Sequence, residues 1–322
     1  ATKLTTLDAA SLGGALSITT GALTTAATLT GGAGADTINA ADAGKSVTIN
    51  GGAGNDVSLV GSATKASTIN GDAGNDSLTG GAAADVINGG DGTDTFVFSS
   101  ANIVEQAGSG TTSGVVINLS AAELSQSAVF TAMTNDYVAS ASPSVGAGTA
   151  TYLFTTESTT NAVIVDTLTS IENAVGSNLD DYIVGSDEAN LLTGGAGQDV
   201  LTGGKGADNF AYTAATDGAS TVTLTALDAT DDFTATPGVS TDYITDFVSG
   251  TDKIVISGAL RTALNGTNDG VNGTDDTVIA LADNGNLDFD AGTIFILNTD
   301  DDLAGDDFGD ISAIADALNT TN

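Results

Sequence analysis

Residues 71–97 read GDAGNDSLT, GGAAADVIN and GGDGTDTFV, three nine-residue units in tandem. Each opens on glycine, carries an aspartate at its sixth position and a large apolar residue at its eighth. Outward from this stretch the unit recurs. Upstream, 31–39 reads GGAGADTIN and 51–59 reads GGAGNDVSL, with 40–50 (AADAGKSVTIN) and 60–70 (VGSATKASTIN) between them. This 20-residue frame reaches back over 11–30, where Ile18 aligns with Ile38, and Leu29 with Ile49 and Ile69. Downstream, a second block runs GSNLDDYIV, GSDEANLLT, GGAGQDVLT and GGKGADNFA over 176–211.

The consensus is G-G-x-G-x-D-x-U-x, with U apolar. One inward apolar residue in a triplet is a very short strand, and six Gly-rich residues make a turn. Glycine is required where the backbone takes positive φ and where successive turns stack closely. Two such units close one circuit of a coil with a strand on each side, and the 20-residue rungs are slightly wider circuits. The U side chains then stack into a thin core: Leu78, Ile87 and Phe96 in the first block, and Ile183, Leu192, Leu201 and Phe210 in the second. Ser58 takes the U position of its unit, between Val57 and Leu59. A flexible acidic linker would show neither the fixed periods nor the apolar positions.

The sixth-position acids are Asp36, Asp56, Asp76, Asp85, Asp94, Asp181, Asp199 and Asp208. Alternate nonapeptides fall on one edge, so Asp76 stacks with Asp94 while Asp85 lies opposite. Likewise Asp181 pairs with Asp199, and Asn190 with Asp208. Carboxylates repeated about 5 Å apart repel by nearly 1 kcal/mol per pair even at water's dielectric. A hard divalent ion neutralises them. Ca²⁺ takes six to eight oxygens, which aspartates and peptide carbonyls supply, whereas Mg²⁺ demands a tighter octahedron. The fold class expected is all-β: a parallel β-roll or β-solenoid with calcium-binding nonapeptide turns.

These blocks resemble the RTX (repeat-in-toxin) nonapeptide family, whose members leave the cell through type I secretion systems. The motif is matched residue by residue at 31–36, 51–56, 194–199 and 203–208, and nearly so at 71–76 and 89–94. Carried onto these positions, the family's calcium role implicates the aspartates above. It also implicates the turn carbonyls at Gly32, Gly34, Gly52, Gly54, Gly74, Gly92, Gly195, Gly197, Gly204 and Gly206. Alanine replaces the second-turn glycine in 80–88, and Asn190 replaces the aspartate in 185–193.

Four segments follow. Residues 1–98 are a solenoid passing into the roll, 99–175 a β-rich insertion or irregular rungs, 176–212 a second roll, and 213–322 a β-rich C-terminal cap. In the insertion, VVINL (115–119), TYLF (151–154) and AVIVD (162–166) read as strands, and 121–130 as a short helix capped by Ser120 and Glu123. The cap carries a Tyr243–Phe247 strand, an IVI strand at 254–256 and a terminal helix from Asp310. By resemblance this end holds the type I secretion signal. Two further acid groups, Asn268–Asp276 and Asp300–Asp310, read as solvated loops without EF-hand spacing.

Composition narrows the function. There are 41 acids against six Lys plus Arg, a formal net charge of −35, and neither Cys nor His. That excludes nucleic acid as a partner, which needs clustered cations. It excludes disulfides, thiolate metal sites and histidine-based catalysis as well. No apolar run approaches the roughly 18 residues of a transmembrane helix, and no Sec-type signal peptide is visible from Ala1 onward, as in a processed chain or a fragment of a longer one. Glu105, Glu123 and Glu157 lack the aromatic platforms of a glycosidase. The expectation is a non-enzymatic, extracellular calcium-binding structural protein of the bacterial cell surface. It would self-associate into a lattice, sheath or filament, with a surface polysaccharide as possible anchor. The alternative is a C-terminal export and folding module of a larger adhesin or enzyme.

Overall fold

Twelve strands form one sheet and nine form the other, and the chain alternates between them along most of its length. The computed structural model describes residues 3–60, 65–99, 113–124, 145–155, 161–197, 199–213, 221–222, 241–248 and 251–256. Among these no helix occurs. The first sheet begins with Thr6–Asp8, Ala27–Thr30, Val47–Ala53, Thr68–Ala73 and Val86–Asp91, each parallel to the next. The second runs Ser17–Thr19, Thr37–Asn39, Val57–Leu59, Ser77–Thr79, Thr95–Val97, Asn173–Val175, Leu191–Thr193, Asn209–Tyr212 and Lys253–Ile256. Every neighbouring pair in it is parallel. This is a parallel β-solenoid, and the repeat regions form its roll.

The register explains the period of the sequence. Leu29, Ile49, Ile69, Ile87 and Leu168 stack in one inward column; Ile38, Ser58, Leu78, Phe96, Ala174, Leu192 and Phe210 stack in the other. All are buried, so the core is one side chain deep on each side. Ser58 points inward although apolar residues flank it, and Val57 is left 48% exposed. A one-residue slip would turn the whole strand over, and parallel pairing with Thr37–Asn39 and Ser77–Thr79 forbids it. The buried Ser58 hydroxyl has no hydrogen-bond partner as a result.

Between the repeat blocks the two sheets behave differently. The second sheet passes directly from Thr95–Val97 to Asn173–Val175. The first gains an antiparallel excursion: Asn161–Thr169 pairs with Thr149–Thr155, which pairs with Ser113–Asn118, and this last strand lies parallel to Asp180–Val184. Two extra strands widen the interior there. Tyr152 and Phe98 fill it, edge to face with centroids 4.9 Å apart, and the Tyr152 hydroxyl donates to the Gly81 carbonyl at 2.9 Å. A second small cluster of Val116, Val145, Tyr182, Val184 and Val200 packs on the outer face.

The three strands expected in 99–175 are present. Of the helix expected over 121–130, residues 121–124 are bends and a bridge from Leu124 to Val145, and the rest lies outside the described residues. In the C-terminal segment, Thr241–Ile244 extends the first sheet and Lys253–Ile256 the second. The terminal helix and both further acid groups lie outside the described residues.

Candidate metal centre

Strand register places the sixth-position residues in two columns, one along each edge of the roll. The column leading into the second sheet holds Asp36, Asp56, Asp76, Asp94, Glu172, Asn190, Asp208 and Asp252. The column leading into the first holds Ser67, Asp85 and Asp166, then, beyond the inserted hairpin, Asp181, Asp199 and Asp242. Asp76 and Asp94 are thus neighbours with Asp85 on the opposite edge, and Asp181 and Asp199 share an edge. The aspartates of both columns are buried.

Four acids in these columns escaped the motif: Asp166, Glu172, Asp242 and Asp252. Their turns lack the paired glycines, but each keeps the second half of the repeat, an acid two residues ahead of an apolar one: DTL, ENA, DYI and DKI. That half-motif was the available signal.

One oxygen of each carboxylate ties two rungs together. The backbone N–H of Asp36 donates to Asp56 Oδ1, that of Asp56 to Asp76 Oδ1, and that of Asp76 to Asp94 Oδ1, at 2.7–2.8 Å. The same link joins Ser67 to Asp85, Asp85 to Asp166, Asp181 to Asp199, Asp199 to Asp242, Asn190 to Asp208 and Asp208 to Asp252. Glu172 takes the role in its rung, accepting from the Asp94 N–H at 2.8 Å.

The second oxygen divides the turns. In Asp56, Asp76, Asp94 and Asp199 it is buried without any partner. In Asp36 and Asp85 it accepts the N–H of the turn's second residue, Gly32 or Gly81, at 2.6 Å. Ser177 gives the same bond to Asp181, and Val248 to Asp252 at 2.7 Å. In Asn190 the side-chain oxygen accepts from the Ser186 N–H, and the amide donates to the Glu172 carbonyl.

Backbone conformation tracks this division, with the 203–208 turn standing apart, since Gly204 has φ 97° and gives its N–H to Asp246 Oδ2. Gly52, Gly90 and Gly195 have φ of 109°, 111° and 110°, and Asp72, a rare non-glycine there, has φ 73°. These are the second residues of the four turns whose aspartate oxygen is unpartnered. Gly32, Gly81, Ser177, Ser186 and Val248 all keep φ outside the left-handed region. Of the glycines singled out from sequence, Gly52, Gly54, Gly74, Gly92, Gly195, Gly197, Gly204 and Gly206 are left-handed, and Gly32 and Gly34 are not. Position one is reserved for another reason. A Cβ on Gly51 would sit 2.3 Å from Asp56 Oδ2 and 2.6 Å from the Gly71 carbonyl oxygen, so only hydrogen fits between them.

The electrostatics are unbalanced. Burial pushes Asp56 up to about 6, helped by the charges of Asp76, Asp36 and Asp72. Burial also raises Asp76, Asp94 and Asp208, and raises Asp199 well above the usual range, with Asp181 and Asp242 adding to it. The ion pair among the described residues, Lys205–Asp187 at 2.6 Å, lies out on the surface. Buried charges normally carry a partner, and buried polar atoms a hydrogen bond. The unpartnered oxygens, with carbonyls of the stacked turns close by and no cationic partner among the described residues, suit a hard cation with oxygen ligands.

A family model described as the RTX calcium-binding nonapeptide repeat, in four copies, matches residues 26–42, 45–62, 66–96 and 175–210. These ranges cover about a third of the chain, and they hold the motif-bearing aspartates of both columns. The chain therefore carries RTX-type calcium-binding repeats, folded as a parallel β-roll. No match was found among curated proteins.

Proposed function

We propose that this chain is a secreted structural protein of the bacterial surface, a subunit of an S-layer, sheath or filament, whose folding and assembly depend on Ca²⁺. The observation that carries the calcium dependence is the set of buried carboxylate oxygens on Asp56, Asp76, Asp94 and Asp199 that no protein group satisfies. Calcium supplies charge neutralisation there; the chain's own residues contribute the carboxylate, the glycines that let turns stack, and the ladder of N–H bonds that sets the rungs. With a net charge of −35, the chain repels itself until the ion binds. Because calcium binds only the folded roll, its concentration sets stability by mass action. Low free calcium in the cell keeps the chain extended for export, and millimolar calcium outside folds it.

Support for a coat role rather than catalysis comes from composition, with no His and no Cys, and from two long sheets whose outward positions include many Thr, Ser and Asn, such as Thr37, Asn39, Ser77 and Thr79. The test is electron microscopy and circular dichroism of the purified chain with millimolar calcium and with EGTA. The expected result is β-structure and ordered lattices or filaments that disappear together on chelation. Full β-content in EGTA would overturn the calcium switch. Folded particles that stay monomeric at every calcium concentration would overturn the coat role.

A further inference from the structure

The unpartnered oxygens follow a positional rule. In the column leading into the second sheet, the first block begins with the 31–36 turn, whose aspartate is satisfied by Gly32. The three turns after it, ending in Asp56, Asp76 and Asp94, are not satisfied. The second block of that column begins with the 185–190 turn, closed by Asn190. In the other column the first block has a single turn, 80–85, and it is closed by Gly81. The second block there begins with 176–181, closed by Ser177, and continues with 194–199, which is open. In every column of every block, the first turn is closed on itself.

We propose that these first turns are metal-free clasps and that the chain takes calcium only at its open turns. The proposal rests on the calcium reading above and departs from the sequence motif, which assigns a metal role to Asp36, Asp85 and Asp181 alike. The physical reason is competition for one oxygen. In a clasp, an N–H hydrogen points at the carboxylate from within the turn, satisfying it and facing any incoming cation with positive charge. Ser177 adds its hydroxyl, which donates to Asp181 Oδ1 at 2.8 Å. Asn190 goes further, because its amide supplies the donor itself and bonds to the preceding rung's Glu172 carbonyl. In an open turn the left-handed second residue directs its N–H elsewhere, and Asp56, at 1% exposure, keeps a bare oxygen. The first turn of a block has no metal-bearing turn before it to stack upon; closing it with hydrogen bonds gives the next turn a template that stands without the ion.

Anomalous diffraction from crystals of the wild-type chain grown in calcium tests this without any variant. Peaks beside Asp56, Asp76, Asp94 and Asp199, and none whose nearest carboxylate is Asp36, Asp85 or Asp181, are expected. Peaks of equal height at both classes would overturn the proposal while leaving the calcium reading intact. No peaks at all would sink both. Native mass spectrometry at saturating calcium gives the second readout. Asp56→Asn and Asp199→Asn should each lose at least one bound ion, and Asp36→Asn and Asp85→Asn none. N190D should gain none, since Ser186 and Glu188 stand where the open turns have their left-handed residues; a gained ion would overturn the assignment.

Discussion

The turns 31–36 and 51–56 differ by one residue, GGAGAD against GGAGND, yet they end differently. Asp36 is hydrogen-bonded at both oxygens, by Leu16 and Gly32, whereas Asp56 keeps one oxygen bare. What separates them is what lies underneath. The 31–36 turn rests on a loop with no acid, where the Ala33 N–H bonds to the Leu12 carbonyl; the 51–56 turn rests on 31–36 itself, through Ala53 and the Gly32 carbonyl at 2.8 Å. The motif sets the capacity of a turn, and the neighbouring rung decides how it is used.

Calcium withdrawal is the largest perturbation of that contrast. Hydrogen exchange during stepwise chelation should deprotect the 51–56, 71–76, 89–94 and 194–199 turns at calcium levels where the clasps still hold. Simultaneous loss across all turns would erase the distinction. Next in size is Gly52→Ala. It places a Cβ at φ 109° and 2.2 Å from the Gly32 carbonyl oxygen, a clash with backbone that cannot move aside. It should cost about 3 kcal/mol or more in calorimetry. Gly44→Ala, at φ 62° with open space around it, should cost about 1 kcal/mol. Equal costs would show that stacking does not constrain the open turn.

The clasped side has its own acid pair. Burial, followed by the charge of Asp85, pushes Asp166 up to about 8. A carboxyl whose folded pKa is raised loses its proton more readily when unfolded, so it lowers stability as pH rises from about 4 to about 8. Asp166→Asn should therefore stabilise the chain at pH 7, by about 1–3 kcal/mol, with the gain vanishing near pH 4. A loss of stability at pH 7 would mean that an ion sits there after all. The smallest effect is expected at Ser58. Ser58→Ala removes a buried, unpartnered hydroxyl from the apolar column and should stabilise by about 1 kcal/mol, measured by denaturant midpoint.

Much of this fold was legible before any coordinates. The period of Ile38, Ile49, Ile69, Leu78 and Ile87 fixes the parallel stack, because only a coil repeats one inward residue at that interval. The opposition of Asp85 to Asp76 and Asp94 follows from the same count. Less legible was the division between clasped and open turns. It depends on peptide orientation at residues such as Gly32 and Gly52, which are identical in sequence and differ only in what they stack upon. Asp166 and Glu172 were hidden for another reason: the rung they stand on stacks against Val86–Asn88 and Thr95–Val97, far upstream in sequence, so no tandem period points to it.

The unbroken second sheet carries a consequence for how such chains diversify. Thr95–Val97 hands its register straight to Asn173–Val175, although more than seventy residues separate them. One wall of the coil preserves the thread while the other opens to admit new strands, much as a zipper with one tape intact still runs after the other has been patched. Foreign segments grafted between these two strands should leave the rungs on either side in step.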